Sequence, residues 1–163
     1  LTFEHWRTKG GDSPLLDYLL FGSFNRAFSR QGHRTGFEWL SRDDQSVARY
    51  HQDPFCGRVP NSRSLLSLFA HEAALWQQPM PDNIKSGLPV YLLSGAADPV
   101  HAKQANLSRL IDWLQGFGAR VDADIYLGAR HEILNETNRD EVIFKLIDWL
   151  QVRHEVRSDK PHA

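Results

Sequence analysis

The chain has 163 residues, 41% of them hydrophobic, with 19 Lys+Arg against 20 Asp+Glu and a formal net charge of -1. That is one ordinary domain by size, with enough apolar content for a packed core, and a balance so near neutral gives no electrostatic footprint for nucleic acid or an anionic membrane. The sole cysteine, Cys56, excludes an intrachain disulfide and a cysteine-paired zinc site and fits a reducing, cytoplasmic setting, and no apolar stretch exceeds about half of the ~20 residues a membrane span needs.

The chain begins at Leu1 rather than Met and shows no signal peptide, which leaves room for a lost upstream segment. Ser13 before Pro14 is a helix-start signal, because proline lacks the N–H that would be orphaned there. Residues 15–21 are then apolar nearly all round, so this helix must be buried or face something greasy, and Gly22 is expected to stop it. Residues 30–60 lack a clear period and carry Gly32, Gly36, Pro54, Gly57 and Pro60, which predicts turns joined by short helical pieces. A helix fits 62–78, with Leu65, Leu68, Phe69 and Trp76 on one stripe and Pro79 ending it. The run Gln77-Gln78-Pro79-Met80-Pro81-Asp82-Asn83 reads as a loop dividing a helical region, 1–81, from a second region, 82–163.

The second region alternates strand and helix signals. Residues 88–93 form a short continuous apolar run, as in a strand covered on both faces. A helix is predicted over 102–115 from Leu107, Leu110, Ile111 and Leu114, closed by Gly116 and Gly118. Val121, Ala123 and Ile125 then alternate with Asp122, Asp124 and Tyr126, predicting a strand with one polar side near a sheet edge. A last helix starts at Asn138 as N-cap, with Glu141 three residues on and Ile143, Leu146, Ile147 and Leu150 on its inner face; the tail, 153–163, is polar and expected to fray. The β-α-β-α order implies α/β architecture with a parallel sheet. Two strands cannot satisfy their own edges, so the pattern reads as the end of a larger sheet whose other strands come from elsewhere.

Asp98 follows the first strand and His131 the second, and in open parallel sheets functional residues gather beyond the carboxyl ends of strands. A carboxylate beside an imidazole fixes its tautomer and stabilises the imidazolium. Taken singly, each has a plainer reading: aspartate is common in turns, and a loop histidine is often just solvated. Neither His131-Glu132-Ile133-Leu134-Asn135 nor His71-Glu72-Ala73-Ala74-Leu75 completes His-Glu-x-x-His, so no metal site is expected. Gly116-Phe117-Gly118 follows a helix rather than a strand and reads as a cap and turn.

The run Leu88-Pro89-Val90-Tyr91-Leu92-Leu93-Ser94-Gly95-Ala96-Ala97-Asp98-Pro99-Val100 resembles the strand and acid loop of α/β-hydrolases. Tyr126-Leu127-Gly128-Ala129-Arg130-His131-Glu132-Ile133-Leu134-Asn135-Glu136, followed by Asn138-Arg139-Asp140-Glu141-Val142, is similar to the histidine loop of their lysophospholipase/monoacylglycerol-lipase-like (serine aminopeptidase S33-type) branch. Trp39-Leu40-Ser41-Arg42-Asp43 and Tyr50-His51-Gln52-Asp53-Pro54-Phe55-Cys56-Gly57 resemble the lid and post-lid segment of bacterial members. Over about residues 15–150 the resemblance implies the carboxyl-terminal part of such a fold, preceded by a helical lid, with Asp98 as triad acid and His131 as general base. The order acid then histidine agrees with the family's Ser…Asp…His order. The nucleophile elbow Gly-x-Ser-x-Gly is absent, Ser94 being flanked by Leu92 and Ala96. The serine and oxyanion hole would therefore lie in about 130 residues expected before Leu1, since whole domains of this kind run to about 250.

The resemblance also implies that Leu16, Leu20, Phe21 and Phe24 wall an apolar pocket for an acyl chain, although such residues equally pack a lid onto its core. Trp39, Arg42 and Asp43 read as a structural cap or salt bridge. The implied parent is a carboxylic ester hydrolase acting on a lysophospholipid or monoacylglycerol, without a cofactor, metal, nucleic acid or transmembrane segment, and the chain alone is expected to be inactive. Two other readings stay open: a same-fold dehalogenase or epoxide hydrolase with an aspartate nucleophile, and a non-catalytic interaction module completed by another polypeptide.

Overall fold

A computed structural model describes residues 2–9, 11–28, 35–75, 85–101 and 104–158. The chain opens on α1 (Thr2–Arg7), a helix too short for its periodicity to be read in advance. Its Glu4 is buried, accepts both Arg7 nitrogens at 2.8 Å and takes the Ser13 hydroxyl proton. Ser13 in turn accepts from the Leu16 amide at 3.2 Å, so the expected N-cap is in place at the start of α2 (Pro14–Asp17).

Gly22 does not end this helix. The backbone runs from α2 through a π-helical turn, Tyr18–Gly22, into α3 (Ser23–Asn25), with Gly22 itself in right-handed helical conformation. The Tyr18 ring lies against Gly22, where a Cβ would come within 2.9 Å of it, so this glycine makes room for a ring rather than a stop. Asn25 is buried and fastens α3 onward: its Nδ2 donates to Glu38 at 2.6 Å and its Oδ1 accepts from the Trp39 amide at 3.0 Å.

Within the 30–60 stretch, α4 (Asp44–Gln52) forms because Asp43 caps it, accepting from Gln45 at 3.0 Å and Ser46 at 3.4 Å. Then comes α5 (Ser62–Leu75), on which Leu65 is buried while Leu68 and Phe69 stay exposed. Ser62 is anchored to the first turn by its amide on the Gly11 carbonyl and its hydroxyl against Thr8. Trp76 and the loop predicted at 77–83 lie outside the described residues, and so does the expected division at 81/82.

The second region follows the predicted order. β1 (Pro89–Gly95) pairs parallel with β2 (Arg120–Tyr126), from Pro89 opposite Arg120 to Gly95 opposite Tyr126, and α6 (Ala105–Gly116) crosses between them. Among the described residues the sheet has these two strands. Last comes α7 (Arg139–Ser158), which continues eight residues beyond Leu150, so residues 153–158 are helical rather than frayed.

The polar side of β2 meets α7 while its Asp122 and Asp124 side chains stay part-open to water, 46% and 39% exposed. Asp122 accepts from Trp149 Nε1 at 2.7 Å and Arg153 Nη2 at 2.6 Å. Asp124 accepts the Tyr91 hydroxyl at 2.5 Å and lies 3.8 Å from Lys145 Nζ, while the Tyr91 and Trp149 rings stack 5.1 Å apart. These carboxylates are therefore the docking points of α7, whereas Ile125 on the opposite side is exposed. On α7, Val142 is fully buried but Ile143, Ile147 and Leu150 are exposed, because these two strands do not cover the whole apolar face. Among the described residues the core shows two clusters, Phe28-Trp39-Leu40 with Phe24, Phe37, Tyr50 and Ala97, and Tyr126-Ala129-Val142 with Leu93 and Ile133. The loops carrying Asp98 and His131 run between them.

Candidate active site

Both loops leave the carboxyl ends of adjacent strands and are pressed together at once. The Ala96 amide donates to the Tyr126 carbonyl and the Ala97 amide to the Ala129 carbonyl, both at 2.9 Å. A Cβ on Gly95 would lie 2.1 Å from the Arg130 carbonyl oxygen and 2.3 Å from that of Ala129, so only a hydrogen fits there. From this junction the chain turns through the Asp98 amide on the Gly95 carbonyl, and Asp98 Oδ1 accepts from the Val100 amide at 2.8 Å, an aspartate closing its own turn. His101 braces the same turn. Its Nδ1 accepts from the Gln104 amide at 2.8 Å, which leaves Nε2–H to donate to the Gly95 carbonyl at 2.7 Å.

The other carboxylate oxygen, Asp98 Oδ2, lies 2.9 Å from His131 Nδ1. Asp98 has 10% of its side chain exposed and His131 39%, so a sheltered acid backs a base that solvent and ligand can reach. Burial pushes the Asp98 carboxyl up, but the His131 hydrogen bond and the Val100 amide outweigh it and hold the group below its ordinary value. The bond to Asp98 lifts the His131 imidazole above its ordinary value against the opposing effect of burial. With Nδ1 committed to Asp98, Nε2 is the nitrogen available to take and return a proton. The Trp39 ring lies 5.0 Å from the imidazole, tilted by 42°.

Residues 37–43 are woven into the histidine loop. The Glu132 amide donates to the Leu40 carbonyl at 2.8 Å, the His131 amide to the Trp39 carbonyl at 3.4 Å and the Ser41 hydroxyl to the Asn135 carbonyl at 2.8 Å. The buried Arg130 guanidinium donates to the carbonyls of Glu38 and Ser41 and sits 4.5 Å over the Phe28 ring. Arg42 and Asp43 have the structural roles their motif suggested: Asp43 caps α4 and meets Arg139 at 3.1 Å, and Arg42 Nε meets Glu136 at 2.8 Å. Asn138 stands at the start of α7 as predicted, with its Oδ1 accepting from Arg42 Nη2 at 2.7 Å. Glu136, the last residue of the histidine-loop motif, is fully buried beside the site, a role its sequence context does not reveal because a glutamate in a polar loop carries no mark of burial.

The four residues expected to wall a pocket are not all on view. Leu16 is buried; Phe24 is half-buried with its ring 5.2 Å from Trp39, placing it one aromatic neighbour from His131; the side chains of Leu20 and Phe21 lie outside the described residues. Among the described residues no three His, Cys, Asp or Glu side chains group as metal ligands, and no helix is long and apolar enough to cross a membrane.

Residues 13–138 match the family described as serine aminopeptidase, S33. No curated protein matches the chain. Among solved structures, a highly thermostable carboxyl esterase from Bacillus coagulans, in complex with glycerol, is similar with a TM-score of 0.71 and 29% identity, over 92% of this chain and 49% of its own. A lipase in an open form is similar with a TM-score of 0.65 and 24% identity, over 86% of this chain and 46% of its own, a likeness of fold alone. The chain spans about half the length of these two structures.

Proposed function

The chain belongs to the serine aminopeptidase, S33 family and carries part of an α/β-hydrolase fold, and on that footing we propose that it supplies the acid, Asp98, and the base, His131, of a carboxylic ester hydrolase. The observation that carries this is the 2.9 Å bond between His131 Nδ1 and Asp98 Oδ2 at the carboxyl ends of neighbouring parallel strands. The nucleophile is a serine from polypeptide outside these 163 residues, as is the oxyanion hole, since the sequence holds no Gly-x-Ser-x-Gly elbow. His131 Nε2 takes the serine proton as the hydroxyl attacks the ester carbonyl and returns it to the departing alcohol. Asp98 holds the ring in the required tautomer and stabilises the imidazolium.

The substrate is a small lipid-like ester, a monoacylglycerol or lysophospholipid. Glycerol bound to the similar carboxyl esterase supports a glycerol-ester head group, and the apolar helix running from Pro14 supports an acyl chain. Phe24, beside Trp39, is the pocket residue best placed near His131; Leu16, Leu20 and Phe21 are the other residues assigned to the pocket in this reading. In this reading residues 1–81 form the lid and residues 82–163 the end of the catalytic core, in a cytoplasmic enzyme.

The test uses a fluorophosphonate probe and p-nitrophenyl butyrate. The 163-residue chain alone is expected to react with neither, whereas the complete enzyme carrying it reacts with both and loses about 10⁶-fold in kcat on His131→Ala. Labelling of the chain alone, or an unimpaired His131→Ala enzyme, would overturn the proposal.

A further inference from the structure

Glu136 is fully buried, and no step above uses it. Taking a carboxylate out of water is costly unless its lone pairs are answered, and here all four positions are. Oε1 accepts from the Arg130 amide at 2.7 Å and the Arg42 amide at 3.2 Å; Oε2 accepts from Arg42 Nε at 2.8 Å and the Thr137 amide at 3.1 Å. Room for the guanidinium is provided across the loop by Gly128, where a Cβ would stand 3.3 Å from Arg42 Nη1.

The donors matter more than their number. Arg130 is the residue before His131, and its amide makes the shortest of the four bonds. The His131 amide is itself held loosely, at 3.4 Å, so the imidazole is placed by its neighbours: Glu132 on the Leu40 carbonyl on one side, Arg130 on Glu136 on the other. We propose that Glu136, with Arg42, is a positioning pair for His131, fixing the backbone from which the imidazole reaches Asp98. This rests on the reading of His131 as general base.

Because a displacement of about 1 Å at a reacting group can cost 10²-fold, the pair should register in kcat rather than in substrate affinity. The complete enzyme is made as Glu136→Gln and, separately, as Arg42→Lys, which keeps the charge but loses the planar fork. Rates are referred to sites titrated by the fluorophosphonate burst, so that a misfolded fraction does not count. The expected result is a fall in kcat of about 10- to 100-fold per titrated site, with KM for p-nitrophenyl butyrate within about twofold. The acid limb of kcat/KM also moves to lower pH. The charges facing the imidazole are Asp98 from the β1 loop and Glu132 from its own loop; Glu136→Gln also deletes a carboxylate near the ring, whereas Arg42→Lys keeps every charge, so in Arg42→Lys the movement reports the bond to Asp98.

Should Glu136→Gln fail to yield titratable sites, Arg42→Lys gives the same readings. Unchanged kcat per site and an unchanged acid limb, with only a lower Tm, would overturn the positioning role and leave Glu136 a structural staple. His131→Ala separates the two ideas. If it retains activity, the general-base reading falls; if it is inactive while both positioning variants behave as wild type, only the present inference falls.

Discussion

His131 and Asp98 shift each other's protonation in opposite directions, and the signs decide what pH does. The base works when neutral, and its bond to Asp98 raises the pH at which neutrality is reached above the ordinary 6.5. In the complete enzyme, Asp98→Asn is therefore expected to move the acid limb of kcat/KM to lower pH while cutting the plateau by about 10⁴-fold, read from a pH–rate profile. Linkage runs the same way for folding. The raised imidazole contributes stability that is full below pH 6.5 and is lost as pH rises through its folded value; the lowered carboxyl contributes stability that is full above pH 3.8 and is lost as pH falls through its own. Both residues were legible in the sequence because each follows a recognisable strand. Glu136 and Arg130 were not, because what makes them special are partners some ninety positions away, and a lone buried carboxylate is spelled like a solvated one.

Among elements, periodicity gave order and type more reliably than ends or faces. β1, α6, β2 and α7 stand where the pattern put them, yet the polar side of β2 serves α7 as well as water, because Trp149, Arg153 and Lys145 bring donors to its aspartates. Gly22 misled for a similar reason: a glycine that admits a ring looks in sequence like one that ends a helix. Gly95 went unnoticed, although the loops carrying Asp98 and His131 meet across it. Gly95→Ala is expected to lower stability by about 3 kcal/mol, seen as a lower denaturation midpoint with little change in m, since the added methyl overlaps two backbone carbonyl oxygens that cannot swing aside. Activity should fall with it, as the loops part and the bond from His131 to Asp98 lengthens.

For the whole molecule, the notable quantity is apolar surface left in water. Leu127 is 90% exposed and Phe144 71%, and Ile125, Ile147 and Leu150 are each exposed by about two-fifths to one-half. A stable monomer rarely shows so much, and the chain spans about half the length of its solved relatives. Produced alone, residues 1–163 are expected to brighten the dye ANS and to elute at a size that grows with concentration, whereas the complete enzyme does neither. A monodisperse, dye-silent chain would favour the reading as an independent interaction module. The shortness of the sheet was legible as two strands, and the described residues pair just these two; which apolar residues stay exposed was not, because the pattern marks a greasy face without saying what covers it.

The weaving of residues 37–43 into the histidine loop also bears on how this scaffold could be re-engineered. A designer exchanging the helical region for another would have to keep residues 37–43 and replace what Asn25 gives Glu38 and Trp39 and what Phe28 gives Arg130. Cutting after Asp43 would discard the carbonyls of Glu38, Trp39, Leu40 and Ser41 and the Arg42 side chain, and with them the mould in which the His131 loop is cast. The helical region is thus exchangeable only if residues 37–43 stay with that loop.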